Sequence, residues 1–205
     1  LLEEAIAREL DRGGQVYFVH NRIETMDTVV ERVRRLAPRA VIGVAHGAMR
    51  GRDLDQVMRR FVAGEVGVLC STMIVESGLD VANANTMIVH HAEQFGLAQL
   101  YQLRGRVGRS SRQAFAYFLV PPYVELTPLA KERLKALKEF SELGSGFRLA
   151  AKDLEIRGAG NLLGHRQHGS MEAVGFDYYV QLLDQAVREV KGERVEETNC
   201  EINLK

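Results

Sequence analysis

The chain has 205 residues, of which 46% are hydrophobic and 26% are charged, and its formal net charge at pH 7 is 0. These values are typical of a globular protein, and the overall charge does not single out nucleic acid as a partner. Cys70 and Cys200 lie too far apart to indicate a disulfide framework or a zinc site, and no apolar run has transmembrane length. We therefore expect a reducing, cytoplasmic setting without a membrane, and the lack of a methionine before Leu1 suggests a piece of a longer protein.

Short β-branched runs alternate with stretches of helical period along the first 120 residues. This alternation predicts an α/β fold with a parallel sheet flanked by helices. We expect strands at 15–20, 40–44, 66–71, 86–90 and 114–120. Apolar residues at three-to-four spacing predict amphipathic crossover helices at 23–36 and 53–62.

Polar residues follow the predicted strands at the edge where such sheets bind ligands. In open parallel sheets, ligands meet the loops after the carboxyl ends of the strands. We expect this edge to carry His20-Asn21-Arg22, Ala45-His46-Gly47, Ser71-Thr72, His90-His91 and the arginine-rich loop of residues 102–109. As strand neighbours, His90 and His91 are expected on opposite faces, which argues against a metal site. A phosphate-contacting hydroxyl is a more economical role for Thr72 than a nucleophile, because no base is placed beside it.

Residues 102–109, called here the arginine element, read Gln-Leu-Arg-Gly-Arg-Val-Gly-Arg. A guanidinium is always charged and matches phosphate oxygens in a bidentate manner, while glycine lets a backbone approach a ligand closely. A solvated arginine run is the alternative interpretation. The spacing of Arg106 and Arg109, each preceded by glycine, favours an anion-binding element instead.

The pattern becomes helical after Pro121-Pro122. Thr127-Pro128 predicts a helix start, and the helix is expected to continue to about Leu143 and end at 144–146. Further helices are expected at 149–156 and 175–190, with a long glycine-rich loop at 157–169. That loop does not follow a strand and its glycine spacing is off by one, so it is not a dinucleotide fingerprint.

Four segments, in order and spacing, resemble motifs of the second RecA-like lobe of superfamily 2 helicases and translocases: 15–22, 45–49, 71–81 and the arginine element. Residues 146–169 resemble the translocation segment shared by RecG helicases and the bacterial transcription-repair coupling factors, and 170–176 look more like the coupling factors. The resemblance implies a RecA-like lobe at 1–120, a helical translocation segment with a hairpin and loop at 121–191, and an acidic linker or tail at 192–205. Asn161 departs from the acidic residue expected in this group.

The resemblance also implies roles for individual residues. Arg106 and Arg109 would be arginine fingers that stabilise charge on the γ-phosphoryl group of ATP. Residues implied to border the nucleotide are Gly78, Asp80 and Gln102. Residues implied to hold DNA phosphates are Asn21, Arg22, His46, Gly47 and Thr72, and those implied in translocation coupling are Arg148, Arg157, Arg166 and Gln167.

The sequence contains neither G-x-x-x-x-G-K-[ST] nor a following acidic magnesium box. We therefore expect ATP with Mg²⁺ to be held mainly by a first RecA-like lobe elsewhere in the protein, and no ATP hydrolysis by these residues alone. The implied function is that of a second motor lobe of an ATP-dependent double-stranded DNA translocase that displaces stalled RNA polymerase in transcription-coupled repair. RNA polymerase and excision-repair proteins would then bind other domains. Two alternatives stay open: a lobe of a RecG-type fork-remodelling helicase, and a non-catalytic DNA- or phosphate-binding module.

Overall fold

The structure is a computed structural model, and it describes residues 2–73, 81–140 and 146–157. The chain divides into two compact units between Ala150 and Ala151. The first unit is built on a five-stranded parallel sheet with the strand order β2-β3-β1-β4-β5. Its strands are β1 (Gln15–His20), β2 (Ile42–Ala45), β3 (Val68–Ser71), β4 (Ala84–His90) and β5 (Phe115–Leu119). The predicted α/β class with parallel strands is confirmed, although β2 and β3 each begin two residues later than expected.

Two helices cover one face of the sheet. They are α1 (Leu2–Asp11), which the sequence patterns left unassigned, and α2 (Met26–Leu36). The buried stripe of α2 packs with alternate residues of three strands in one apolar cluster: Met26, Val29, Val30, Val33, Val16, Phe18, Val68, Cys70 and Ile88. The predicted period of α2 is confirmed, and a short 3-10 turn at Ile23–Thr25 precedes it.

The alternate strand residues point to the opposite face, where Tyr17 of β1 meets Phe61 of α3 (Gly51–Val62) with ring centroids 5.0 Å apart. Helix α4 (Leu97–Arg104) follows β4 and buries leucines at three-residue spacing, Leu97, Leu100 and Leu103. Helix α5 (Pro128–Glu139) lies against α4. Each buried leucine of this kind contributes about 2–5 kcal/mol when compared with alanine, so α4 is a firmly held element.

Helices α5 (Pro128–Glu139) and α6 (Gly146–Arg157) follow the sheet. The predicted start of α5 is confirmed, because the Thr127 hydroxyl accepts a hydrogen bond from the N–H of Ala130 at 3.2 Å and Pro128 occupies the first turn. The helix ends at Glu139, earlier than expected, since Phe140 leaves the helical conformation with ψ 48°. Gly146 begins α6 instead of closing α5. The loop and helix predicted beyond residue 157, and the acidic tail, lie outside the described residues.

Candidate functional site

The carboxyl ends of three strands lie within one residue of each other in the sheet register, since β2 and β3 end in one row and β1 ends one residue beyond it. Ala45 of β2 pairs with Ser71 of β3, and Ser71 pairs with Val19 of β1. The N–H of Thr72 continues the ladder by donating to the carbonyl of Ala45 at 3.1 Å. The loops that follow these strand ends are therefore neighbours. They carry the predicted phosphate-contacting residues His46, Gly47, Thr72, Asn21 and Arg22. Their position at one edge is as predicted, and their role stays a prediction.

The residues of the short polar loops at this carboxyl edge differ in their exposure to solvent. Asn21, Arg22 and Gly47 are exposed, His46 is half-buried, and Thr72 is only 9% exposed between its neighbours. Neighbouring strands lie about 4.8 Å apart, so the three loops span about 10 Å.

A histidine cluster adjoins these loops on β1 and β4. His20 Nδ1 and His90 Nδ1 are 3.1 Å apart, so one of them donates to the other, and His20 Nε2 lies 2.7 Å from the hydroxyl of Thr25. Burial, together with the neighbouring His91, lowers the pKa of His20, and burial with His91 and His20 lowers the pKa of His90 to about 4. At neutral pH His20 and His90 are therefore uncharged, and they form a hydrogen-bonded pair.

The expected opposite orientation of His90 and His91 is wrong. Strand β4 ends at His90, and His91 adopts the left-handed conformation with φ 58° and ψ 52°. This turn brings the two rings together with centroids 4.4 Å apart. His91 Nδ1 also lies 2.8 Å from a carboxylate oxygen of Glu93. A non-glycine residue in this conformation is strained, so the surrounding contacts hold the corner in place.

The arginine element begins on helix α4 and continues into a turn. Gln102 is exposed in the last helical turn, and the N–H groups of Gly105 and Arg106 donate to the carbonyls of Tyr101 and Leu103, each at 3.0 Å. Arg106 is half-buried. Gly108 has φ 83°, which only glycine adopts readily. The element therefore has a defined backbone path, with Arg106 and Arg109 on the turn beyond the helix.

The element does not share the carboxyl edge with the loops after β1, β2 and β3, so that expectation was wrong. Helix α4 runs antiparallel to the strands, and its eight residues cover about 12 Å, which carries the chain back across the sheet. Beyond Arg109, the hydroxyl of Ser110 donates to Asn85 near the start of β4 at 2.9 Å. Arg112 Nη1 donates to the carbonyl of Arg12, which precedes β1, at 2.9 Å. The arginine element thus leads to the amino edge.

The first arginine of the element contacts helix α5. Arg104 Nη1 donates to the carbonyl of Phe140 at 2.9 Å, and its guanidinium carbon lies 5.3 Å from the Tyr101 ring centroid. Arg148, predicted to act in translocation, lies over the Phe140 ring at 5.5 Å. These contacts connect the arginine element to the start of the predicted translocation segment.

Some of the predicted site residues lie outside the described residues, and the structure adds residues for which the sequence predicts no role. Gly78, Asp80, Arg166 and Gln167 lie outside the described residues, and Arg157 is the last residue of α6. At the carboxyl edge, the exposed pair Arg50 and Arg52 flanks the start of α3, directly after the motif at 45–49. At the amino edge, the link between Ser110 and Asn85 joins residues 25 positions apart, for which the sequence carries no local signal.

In the described ranges, no group of three or more histidine, cysteine or acidic residues could hold a metal ion. The same part of the chain has no helix long and apolar enough to cross a membrane. Cys70 is buried on β3, where burial raises the pKa of its thiol to about 12. Ser71 is also buried, and its hydroxyl has no hydrogen-bond partner among the described residues. Neither side chain has the activated environment of a nucleophile.

The parallel sheet, the loops at its carboxyl edge and the arginine element at its amino edge define the class of protein, a RecA-like helicase C-terminal lobe. The family model for the helicase conserved C-terminal domain matches residues 1–111, which is more than half of the chain. The chain belongs to this family.

Two curated relatives match nearly the whole chain. The chain is 52% identical over 208 residues to the transcription-repair-coupling factor of Staphylococcus haemolyticus, covering 99% of this chain and 18% of the relative. It is 54% identical over 193 residues to the transcription-repair-coupling factor of Myxococcus xanthus, covering 94% of this chain and 16% of the relative. The chain thus spans less than a fifth of the length of these curated relatives.

A solved structure of RecG bound to a three-way DNA junction is also similar. It matches with a TM-score of 0.65 and 32% identity, covering 89% of this chain and 24% of that chain. This coverage reaches beyond the residues that the helicase family model matches, so the likeness includes helical residues after the sheet. The predicted RecA-like fold is confirmed by the family match and by this neighbour.

Proposed function

We propose that the chain is the second motor lobe of an ATP-dependent double-stranded DNA translocase that acts in transcription-coupled repair. In this proposal it works with a first RecA-like lobe, and the polypeptide that carries both lobes is called here the intact motor. The main support is that two groups of polar residues lie at opposite edges of the sheet. The phosphate-contacting loops lie at the carboxyl edge, and the arginine element leads away to the amino edge. The lobe can then contact DNA and nucleotide at the same time.

Arg106 and Arg109 would reach a nucleotide held by the first lobe. The bound ATP supplies the γ-phosphoryl group and its Mg²⁺ supplies charge neutralisation. The residues fit this role, because the turn carries the guanidinium groups of Arg106 and Arg109. A guanidinium fixed before the reaction stabilises the charge that develops on the transferring group without later reorganisation. Gln102 on α4, with Gly78 and Asp80, would border the nucleotide and its ribose.

At the other edge, Thr72 and the loops of Asn21-Arg22 and His46-Gly47 would hold the backbone of one DNA strand. Contacts of this kind position the duplex and carry no sequence information, as a translocase requires. Arg50 and Arg52 extend the same edge with positive charge. We propose the boundaries 1–120 for the RecA-like lobe, 121–191 for the translocation segment and 192–205 for a linker.

The contact of Arg104 with the Phe140 carbonyl supports a coupling role for the translocation segment. Movement of the arginine element would be passed to α5, and Arg148, Arg157, Arg166 and Gln167 would act in the same segment. The names of the relatives favour a role that couples transcription to repair. We propose that this role is displacement of stalled RNA polymerase, with polymerase and excision-repair proteins bound by other domains in the cytoplasm. The likeness to RecG keeps a fork-remodelling helicase as the second candidate.

The test is ATP turnover by the intact motor with Arg106→Ala or Arg109→Ala. We expect kcat to fall by about 10³- to 10⁵-fold, as for other arginine fingers, while retention on duplex DNA is largely kept. Arg39→Ala serves as a matched control, since Arg39 is an exposed arginine before β2 with no proposed role. Normal turnover in either finger variant would refute the assignment.

A further inference from the structure

The turn that carries Arg106 and Arg109 is held at both ends. At one end it continues from helix α4, whose leucines are buried. At the other end, the Ser110 hydroxyl donates to Asn85 Oδ1 at 2.9 Å. Asn85 lies on β4, between β1 and β5 in the sheet, and is 0% exposed. A loop side chain is thus anchored to a buried residue of a strand that is paired on both sides.

The amide of Asn85 has its own partners, which determine how it is oriented. Its Nδ2 donates to the carbonyl of Asn83 at 3.3 Å and lies 3.5 Å from that of Ala82, which leaves Oδ1 to accept from Ser110. The Ser110 oxygen in turn accepts from the N–H of Arg112 at 3.3 Å. The hydroxyl therefore donates to β4 and accepts from its own turn, and this arrangement fixes the loop one residue after Arg109.

We propose that Asn85 and Ser110 are a positioning pair that sets the geometry of the arginine element for phosphoryl transfer. This inference rests on the proposed function, because it assigns the pair a role through Arg106 and Arg109. The pair contacts no nucleotide itself. Its effect is to hold the backbone of a glycine-containing turn in one conformation, so that the guanidinium groups meet the developing charge without rearranging.

A structural role alone is the competing explanation, and kinetics separate the two. Loss of a merely stabilising bond lowers the unfolding midpoint but leaves the folded enzyme with its normal kcat. Loss of positioning lowers kcat while KM for ATP changes little, since the arginine fingers act on the transition state. Misplacement of a catalytic group by about 1 Å can cost about 100-fold in rate, so we expect Ser110→Ala to lower kcat by about 10- to 100-fold.

The experiment measures DNA-stimulated ATP turnover by the intact motor below its unfolding midpoint. Ser110→Thr keeps a hydroxyl and should restore most of the rate. Ser111→Ala is the matched control, because it makes the same substitution one residue later at an exposed side chain. The double variant Asn85→Ala with Ser110→Ala should be no slower than the slower single variant, since both remove the same hydrogen bond.

Arg106→Ala, measured alongside, separates this inference from the proposed function. If Arg106→Ala abolishes turnover while Ser110→Ala keeps the wild-type kcat, the positioning role is overturned and the motor assignment stands. If Ser110→Ala raises KM and leaves kcat unchanged, the positioning role is likewise overturned. If Arg106→Ala itself turns over normally, the proposed function fails, and the positioning role fails with it.

Discussion

Gly108 provides the sharpest test of the backbone path of the arginine element. Its φ of 83° lies in the left-handed region, and a Cβ added there would lie 3.3 Å from the Cβ of Ala114. An L-residue in this conformation costs about 1–2 kcal/mol, before the tight contact is counted. Gly108→Ala should therefore lower the free energy of unfolding by at least about 1 kcal/mol.

Gly105 is the matched control within the same element. Its φ is −68° and its ψ is −6°, and an added Cβ would make only ordinary contacts, at 3.4 Å from the carbonyl oxygen of Gln102. Alanine at a compatible glycine position usually stabilises by about 0.4–1 kcal/mol through the unfolded state. Because this unfolded-state gain is the same for both variants, they should differ by roughly 1–2 kcal/mol, before the contact with Ala114 is counted, with Gly105→Ala the more stable.

The assay is urea unfolding of the 205-residue chain, followed by far-UV circular dichroism. For a domain of this size, 1 kcal/mol corresponds to about 2–4 °C in Tm, so thermal scans should separate the variants as well. Equal midpoints for Gly105→Ala and Gly108→Ala would show that the turn does not have the left-handed residue on which its path depends.

Three further outcomes follow from the site. Because the pKa values of His20 and His90 are lowered in the folded state, the unfolded state binds protons more readily, and the urea midpoint should fall as pH drops from 6.5 toward 5. His90→Gln should reduce that fall. A midpoint that does not change with pH would contradict this prediction. Thr72→Ala should weaken DNA binding by the intact motor at all salt concentrations and leave the slope of log affinity against log salt concentration unchanged. Arg22→Ala should lower that slope by about 1. Identical slopes in the two variants would count against the phosphate contacts. Gln167→Ala should keep ATP turnover but lose displacement of a roadblock on duplex DNA, and a joint loss of both activities would disprove its coupling role.

Periodicity was a reliable guide where one face of an element is buried. The stripes of α2 and α3 and the five strands follow from residue spacing, and a parallel sheet brings the loops after β1, β2 and β3 to one edge. The position of Thr72 beside the Asn21-Arg22 and His46-Gly47 loops was therefore predictable.

The predicted position of the arginine element at the carboxyl edge was wrong, because no crossover helix was assigned to residues 97–104 from the sequence. Their three leucines at three-residue spacing are the signal that could have shown it. Two further features depend on contacts between distant segments, so no local sequence pattern predicts them. They are the left-handed turn at His91 and the hydrogen bond between Ser110 and Asn85. Tertiary contacts of this kind decide the fine geometry of both edges.

ATP-driven movement along duplex DNA is the most direct test of the central claim, that this lobe supplies the arginines of a DNA translocase. The measurement is displacement of a triplex-forming strand from double-stranded DNA by the intact motor, with and without ATP. We expect ATP-dependent displacement by the wild-type protein and none by Arg106→Ala, although the variant still binds the duplex. Undiminished displacement by Arg106→Ala, or ATP turnover by the wild type without displacement, would contradict the claim.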